Sequence, residues 1–310
     1  MKVGIVGAGF VGAAAANALV LRGVATEIVL VDVDEDKAVA EAADVAHVTP
    51  FVAPVRVMAG GMEDLAGSAV VVLTAGVAQA PGQTRTDLLQ RNAGIVGQIV
   101  PDVAKHAPDT TLLVATNPVD LMTLVAERRA ADAGVPPERV FGTGTMLDTA
   151  RFRQILGARI GVDVTHVHGY VIGEHGDSEV LVWSSLDVAG RPLFEFVRTM
   201  GGSWTEEDRR AIEDEVVNAA YRIIRAKAAT YYGVAAVIAR AVDVVVRDRR
   251  SILTVSAWTP AYECALSLPR LVSGSGVVRE VGVAIDADER ARLERSAEVL
   301  RESLGRLEAG

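Results

Sequence analysis

From Lys2 to Phe141 short β-branched runs alternate with longer amphipathic stretches, and few folds accept that rhythm. The apolar runs are Lys2–Val6, Glu27–Val31, Ala69–Leu73, Thr111–Ala115 and Arg139–Phe141. Helix-like stretches over Val11–Arg22, Glu35–His47, Asp87–His106 and Val119–Ala131 separate them. A strand that is apolar along its whole length needs cover on both faces, and parallel neighbours need a connection long enough for a helix. The expectation is an α/β architecture whose N-terminal part is a doubly wound parallel sheet with right-handed crossovers.

Near Gly142–Thr145 the rhythm changes. A helix is expected over Thr149–Leu156, strands around Val164–Ile172 and Val180–Leu186, and one long helical stretch over Glu206–Tyr232. A strand at Ile252–Ala257 and a closing amphipathic helix at Asp286–Leu307 follow. Strands and helices without strict alternation read as a C-terminal α+β domain. We divide the chain into residues 1–143 and 144–310, and 310 residues are enough for two such cores. No repeat or low-complexity linker separates the halves, so they are expected to form one rigid unit.

The net charge of -9 argues against nucleic acid or an anionic membrane surface as partner. Cys264 is the only cysteine, which rules out an intrachain disulfide framework and a cysteine zinc cluster. No apolar run is long enough to span a bilayer, and the chain enters its first strand without the layout of a signal peptide. A cytoplasmic location is the resulting expectation. An acidic protein that handles acidic small molecules must place its cations locally, so individual arginines carry information.

Gly7-Ala8-Gly9-Phe10-Val11-Gly12 follows the first strand and opens the first helix. Gly7 permits the tight turn, Gly9 lets backbone approach a pyrophosphate, and Gly12 lets helix and strand pack closely. The helix N-terminus, with Phe10 and Val11 in its first turn, turns N–H groups and a positive dipole end toward phosphates. Asp32 closes the second strand about twenty residues later, the spacing at which a carboxylate accepts from ribose hydroxyls. A 2′-phosphate would meet Asp32, Asp34 and Glu35, so the expected cofactor of this Rossmann domain is NAD rather than NADP.

A Rossmann domain alone does not specify a reaction. Four further motifs do: Gln79-Ala80-Pro81-Gly82-Gln83-Thr84-Arg85, Thr116-Asn117-Pro118-Val119-Asp120, Leu147-Asp148-Thr149-Ala150-Arg151-Phe152-Arg153 and Gly173-Glu174-His175-Gly176-Asp177-Ser178. With the glycine loop, and in this order, they make essentially the whole chain resemble the lactate/malate dehydrogenase family. Alcohol–ketone interconversion moves a hydride to or from the cofactor and a proton to or from a base. His175 titrates near neutrality and suits the proton in both directions. The resemblance implies that Asp148 orients its ring, that Arg85 closes with a mobile lid and polarises the carbonyl, and that Asn117 helps position nicotinamide and substrate. Arg151 follows Asp148 by one helical turn, and its guanidinium is suited to grip a carboxylate with two parallel hydrogen bonds.

Substrate charge divides the family. Malate enzymes usually meet the second carboxylate with an arginine on the lid, where this chain has Gln79. Thr230 matches the residue that lactate-specific members place beside the substrate methyl. The resemblance therefore implies pyruvate and L-lactate. Gln83 departs from it, standing where those members commonly carry Glu, and is expected to relax the exclusion of acidic substrates. Arg153 and His168 match positions that in many bacterial members bind fructose bisphosphate across a subunit interface, which implies an allosteric homotetramer. The rival readings are malate dehydrogenase, a dehydrogenase for bulkier 2-oxo acids, and a non-catalytic NAD-binding regulator. The regulator reading predicts decay of His175, Asp148, Arg151 or Arg85, and all four are intact.

Overall fold

The computed structural model describes residues 1–52, 54–77 and 85–309, with backbone alone for Arg85, Thr86 and Ala309. In chain order the N-terminal half runs β1 (Lys2–Val6), α1 (Phe10–Leu21), β2 (Glu27–Val31), α2 (Glu35–Ala46), β3 (Arg56–Ala59), β4 (Ser68–Leu73), α3 (Arg85–His106), β5 (Thr111–Val114), α4 (Val119–Asp132) and β6 (Val140–Gly142). The C-terminal half runs α5 (Met146–Ile160), β7 (Val167–Ile172), β8 (Val180–Val188), β9 (Arg191–Pro192), α6 (Leu193–Thr199), α7 (Glu206–Val217), α8 (Ala219–Lys227), α9 (Tyr232–Val246), β10 (Ser251–Thr259), β11 (Cys264–Ser273), β12 (Gly276–Glu280) and α10 (Ala287–Ala309).

The first six strands form a parallel sheet in the order β3-β2-β1-β4-β5-β6. The chain winds one way from β1 and the other way from β4, so a crevice opens beyond their carboxyl ends, where doubly wound sheets bind ligands. Two threonine hydroxyls tie those ends together: Thr74 Oγ1 donates to Gly7 O at 2.7 Å, and Thr116 Oγ1 to Ala75 O at 2.7 Å. Apolar side chains alternate between two layers. Val70 and Val72 pack toward a cluster with Leu19, Ile238 and Val242 of α1 and α9, while Val71 and Leu73 pack toward Val96, Val100, Leu124 and Leu300 of α3, α4 and α10. Both faces are dry, which explains why β1, β2, β4 and β5 carry no polar side chain beyond their first residue.

The sheet does not stop at the boundary between the halves. β10 pairs antiparallel with β6 through Ser256 and Gly142, and β11 and β12 extend it to nine strands. A separate three-stranded sheet, β7-β8-β9, packs with α5 and α7 around Phe152, Leu156, Val171, Leu181 and Ile212. The long helix expected over Glu206–Tyr232 is instead two helices and a break. α7 and α8 meet at Asn218, and Ala228 takes a left-handed φ of 69° that ends α8. Thr230 lies in that break, and α9 follows. α9 is apolar at most positions and packs Ile238 and Val242 into the core.

Candidate active site

The glycine loop is built as its sequence predicts. Gly7 has a φ of 107°, and a Cβ there would collide with the backbone nitrogen of Ala75. A Cβ on Gly12 would overlap the carbonyl oxygen of Gly7, so helix and strand approach as closely as backbone allows. Gly9 differs: a Cβ on it would meet only Lys37 Nζ, at 3.9 Å. The space above it is open, and Gly9 caps α1 without a side chain of its own. An open cradle at a helix N-terminus, beside an ammonium group, fits the diphosphate of a dinucleotide. Asp32 serves the loop as well as the crevice, since Oδ2 accepts from Ala8 N at 2.6 Å and Oδ1 from Asp34 N at 3.0 Å. Lys37 carries no motif and was not singled out in the sequence.

The groups expected to carry the acid–base chemistry converge from three separate segments. α5 presents Asp148 and Arg151 on one face, as the three-residue spacing requires, and Arg151 NH1 donates to Asp148 Oδ1 at 2.7 Å. The loop between β7 and β8 brings His175, whose Nδ1 lies 2.6 Å from Asp148 Oδ2. α4 brings Asp120, whose Oδ2 accepts from the backbone N–H of His175 at 2.7 Å. The sequence motif around Asn117 ended on Asp120, but nothing in its neighbours announced that it holds the histidine backbone. On the far side of the loop, Glu174 N donates to Ser296 Oγ at 2.7 Å. Tyr221 OH donates to Asp177 Oδ1 at 2.6 Å, tying the loop to α8.

Burial sets the charge states. Asp148 is 2% exposed. Desolvation would raise its pKa, but His175 and then Arg151 outweigh it and hold the carboxyl below its usual range. Desolvation likewise pushes His175 down, and Asp148 outweighs it, lifting the imidazole to about 9. Its side chain remains 26% exposed, so the ring is held on one edge and open on the other. Asp120 is raised to about 6 by burial, against the hydrogen bond from His175 N–H.

Asn117 and His175 share the wall of a small open cleft with Thr143, Leu147, Val234 and Val237. Asn92, on α3, fixes that wall: its amide donates to Asn117 O at 2.8 Å and its Oδ1 accepts from Val77 N at 2.8 Å. Cofactor loop and second half also touch directly. Phe10 stacks on Tyr231 with ring centroids 5.6 Å apart, and Lys227 Nζ sits 3.6 Å from the Tyr231 centroid. Thr230 is thereby held beside the glycine loop rather than within a helix. Gln79 and Gln83 lie outside the described residues, as does the side chain of Arg85, whose backbone starts α3. A larger cavity of about 360 Å³, among Arg159, Phe196 and Trp204, has none of these groups in its wall. Arg270 shows that a buried arginine need not bind substrate. Its guanidinium donates to Val255 O, Leu266 O, Ala257 O and Thr259 Oγ1 within the β10–β11 hairpin.

A dinucleotide crevice that adjoins a carboxylate-held histidine defines an oxidoreductase that uses NAD. Residues 1–142 match the lactate/malate dehydrogenase NAD binding domain, and residues 145–309 the alpha/beta C-terminal domain of the same enzymes. The chain belongs to the lactate/malate dehydrogenase family. It is 52% identical over 304 residues to the L-lactate dehydrogenase of Chloroherpeton thalassium, covering 98% of this chain and 99% of that one. It is 52% identical over 301 residues to that of Deinococcus radiodurans, covering 97% of each. Among solved structures it is similar to the minor L-lactate dehydrogenase of Enterococcus mundtii in its ligands-bound form, with a TM-score of 0.94 and 40% identity over 98% of this chain and 97% of that one. No helix among the described residues is long and apolar enough to cross a membrane.

Proposed function

We propose that this chain is an L-lactate dehydrogenase, interconverting pyruvate and L-lactate with His175 as the proton donor and acceptor. The observation that carries the reading is the unbroken chain Arg151–Asp148–His175, with bonds of 2.7 and 2.6 Å. NAD, when bound, supplies or accepts the hydride. Asp148 holds Nδ1, so the proton moves at Nε2. In reduction His175 gives that proton to the keto oxygen, and in oxidation it takes it back from the hydroxyl. The guanidinium of Arg151 binds the substrate carboxylate and keeps the carbonyl carbon aligned. Arg85, arriving with the lid, stabilises charge that develops on the oxygen. Gly7, Gly9, Phe10, Val11, Gly12 and Asp32 hold the dinucleotide, and Asn117 aligns its reactive end with the substrate.

The choice of pyruvate over oxaloacetate rests on Gln79 and Thr230 and on the relatives named L-lactate dehydrogenase. A second carboxylate enclosed without a cation would be costly, whereas a methyl is accommodated. NADH oxidation with pyruvate and oxaloacetate in parallel tests this, and a preference for oxaloacetate would overturn it.

A fructose bisphosphate site at Arg153 and His168 of a homotetramer is the finer part of the reading. Arg153 Nε donates to Gly169 O at 2.9 Å, and His168, the preceding residue, is exposed on β7. That puts a guanidinium and an imidazole on neighbouring elements, half of the anion site a twofold axis would complete. A pyruvate saturation curve unmoved by the bisphosphate at several pH values would remove it.

A further inference from the structure

Three groups at the centre of the site offer ligand atoms within 4.8 Å of one another: Asp148, His175 and Glu179. The reaction as derived above uses the first two and leaves Glu179 without a task. Glu179 is 5% exposed, its backbone N–H bonds to Gly176 O at 3.1 Å, and its side chain points inward from the start of β8. Its Oε1 is buried and finds no hydrogen-bond partner among the described residues. Asp148, by contrast, has both oxygens engaged by donors.

Two carboxyls this close, one satisfied and one not, cannot share a charge state. An ionised Glu179 would stand unpaired in a dry site beside Asp148, and a buried unpaired charge is far more costly than a buried acid. The bound substrate brings another carboxylate to Arg151, which adds to the penalty. We propose that Glu179 is a positioning residue for proton transfer at His175: it stands uncharged beside the Asp148–His175 pair, so that the imidazole answers to a single carboxylate. Paired carboxyls with opposite charge states, set by their surroundings, are a recurrent way of assigning roles around one proton. This rests on the reading of His175 as the acid and base.

The groups facing Glu179 are Asp148 and Arg151 from α5 and His175 and Asp177 from its own loop, with Asp120 acting on His175 from beyond and Glu174 on Asp120. Burial and the charge of Asp148 raise its pKa to about 9, against His175 and Arg151. Its ionisation thus falls on the alkaline side, where the new charge holds the proton on His175 more firmly and delays its loss.

Glu179→Gln keeps the shape and removes the ionisation. The alkaline limb of kcat/KM for pyruvate reduction is expected to move down by about one pH unit, since no second carboxylate then retains the imidazole proton. Infrared spectra at neutral pH should lose one protonated-carboxyl C=O band in the variant, a readout that needs no turnover. A superimposable pH profile, the absence of that band, or a loss of about a hundredfold at every pH in a folded variant would each overturn the proposal. His175→Gln separates the two readings. If it leaves turnover intact, the acid–base assignment fails; if it abolishes turnover while Glu179→Gln has an unshifted profile, only the role of Glu179 fails.

Discussion

The cofactor crevice and the acid–base cluster lie side by side but are built on opposite principles. The crevice is made of backbone: three glycines within six residues, one helix N-terminus, and Asp32 bonded to Ala8 N. Its glycines are close in sequence, with open space above Gly9, and what they offer a ligand is mainly N–H groups and room. The acid–base cluster is made of side chains from α4, α5 and the β7–β8 loop, and Asp120, Asp148 and Glu179 are all buried. Its work depends on which carboxyl is charged, and that is set by dehydration and by partners distant in sequence. Backbone sites tolerate little change in shape, whereas buried side-chain sites tolerate little change in charge.

The sharpest way to separate the two is His175→Gln. Turnover should fall about a thousandfold, the scale of a lost general acid–base, while NADH affinity measured by fluorescence titration stays near wild type. A parallel loss of NADH binding would show that the regions are not independent. Gly12→Ala attacks the other side. The added methyl overlaps Gly7 O, and we expect about 3 kcal/mol of lost stability together with weakened NADH binding, read by thermal unfolding and the same titration.

Gln79→Arg probes the substrate selection expected of that position. It should move the oxaloacetate-to-pyruvate ratio of kcat/KM by about tenfold to a hundredfold toward oxaloacetate. No shift would mean that discrimination lies elsewhere. In Gln83→Glu a further rise in pyruvate preference of about threefold is expected, and an unchanged ratio would mark that position as silent.

The last prediction concerns pH. The native state holds the His175 proton more tightly than the unfolded chain does, about 9 against 6.5. Its contribution to stability is therefore complete below pH 6.5 and is lost as pH rises through 9, amounting to about 2 kcal/mol for a side chain still partly open to water. Denaturant unfolding from pH 6 to 10 should show this decline for wild type and a shallower one for His175→Gln. Equal slopes would mean that the Asp148–His175 pair is not what the titration reports.

What could be read from the sequence follows the same division. The strands β1, β2, β4, β5 and β6, the glycine loop and the three-residue step from Asp148 to Arg151 all depend on neighbours in the chain, and the structure has them where the pattern indicated. β3 was missed because it is four residues long with little buried surface, and α9 because Arg240 and Asp243 are the only charged residues that break its apolar run. The break that carries Thr230 was missed because a left-handed alanine at 228 has no sequence mark of its own. Asn92, Asp120, Glu179 and Tyr231 were likewise silent, since their significance comes from contacts across tens of residues or more.

By itself, then, the sequence determined the parallel strands other than β3, the cofactor loop and the candidates for the reacting side chains, because hydrophobic period and turn chemistry act over a few residues. The tertiary structure decided how β10, β11 and β12 continue the sheet and how Asp120 grips the His175 loop. It also decided which of two neighbouring carboxyls keeps its charge, because dehydration and long-range hydrogen bonds exist only once the chain has closed around them.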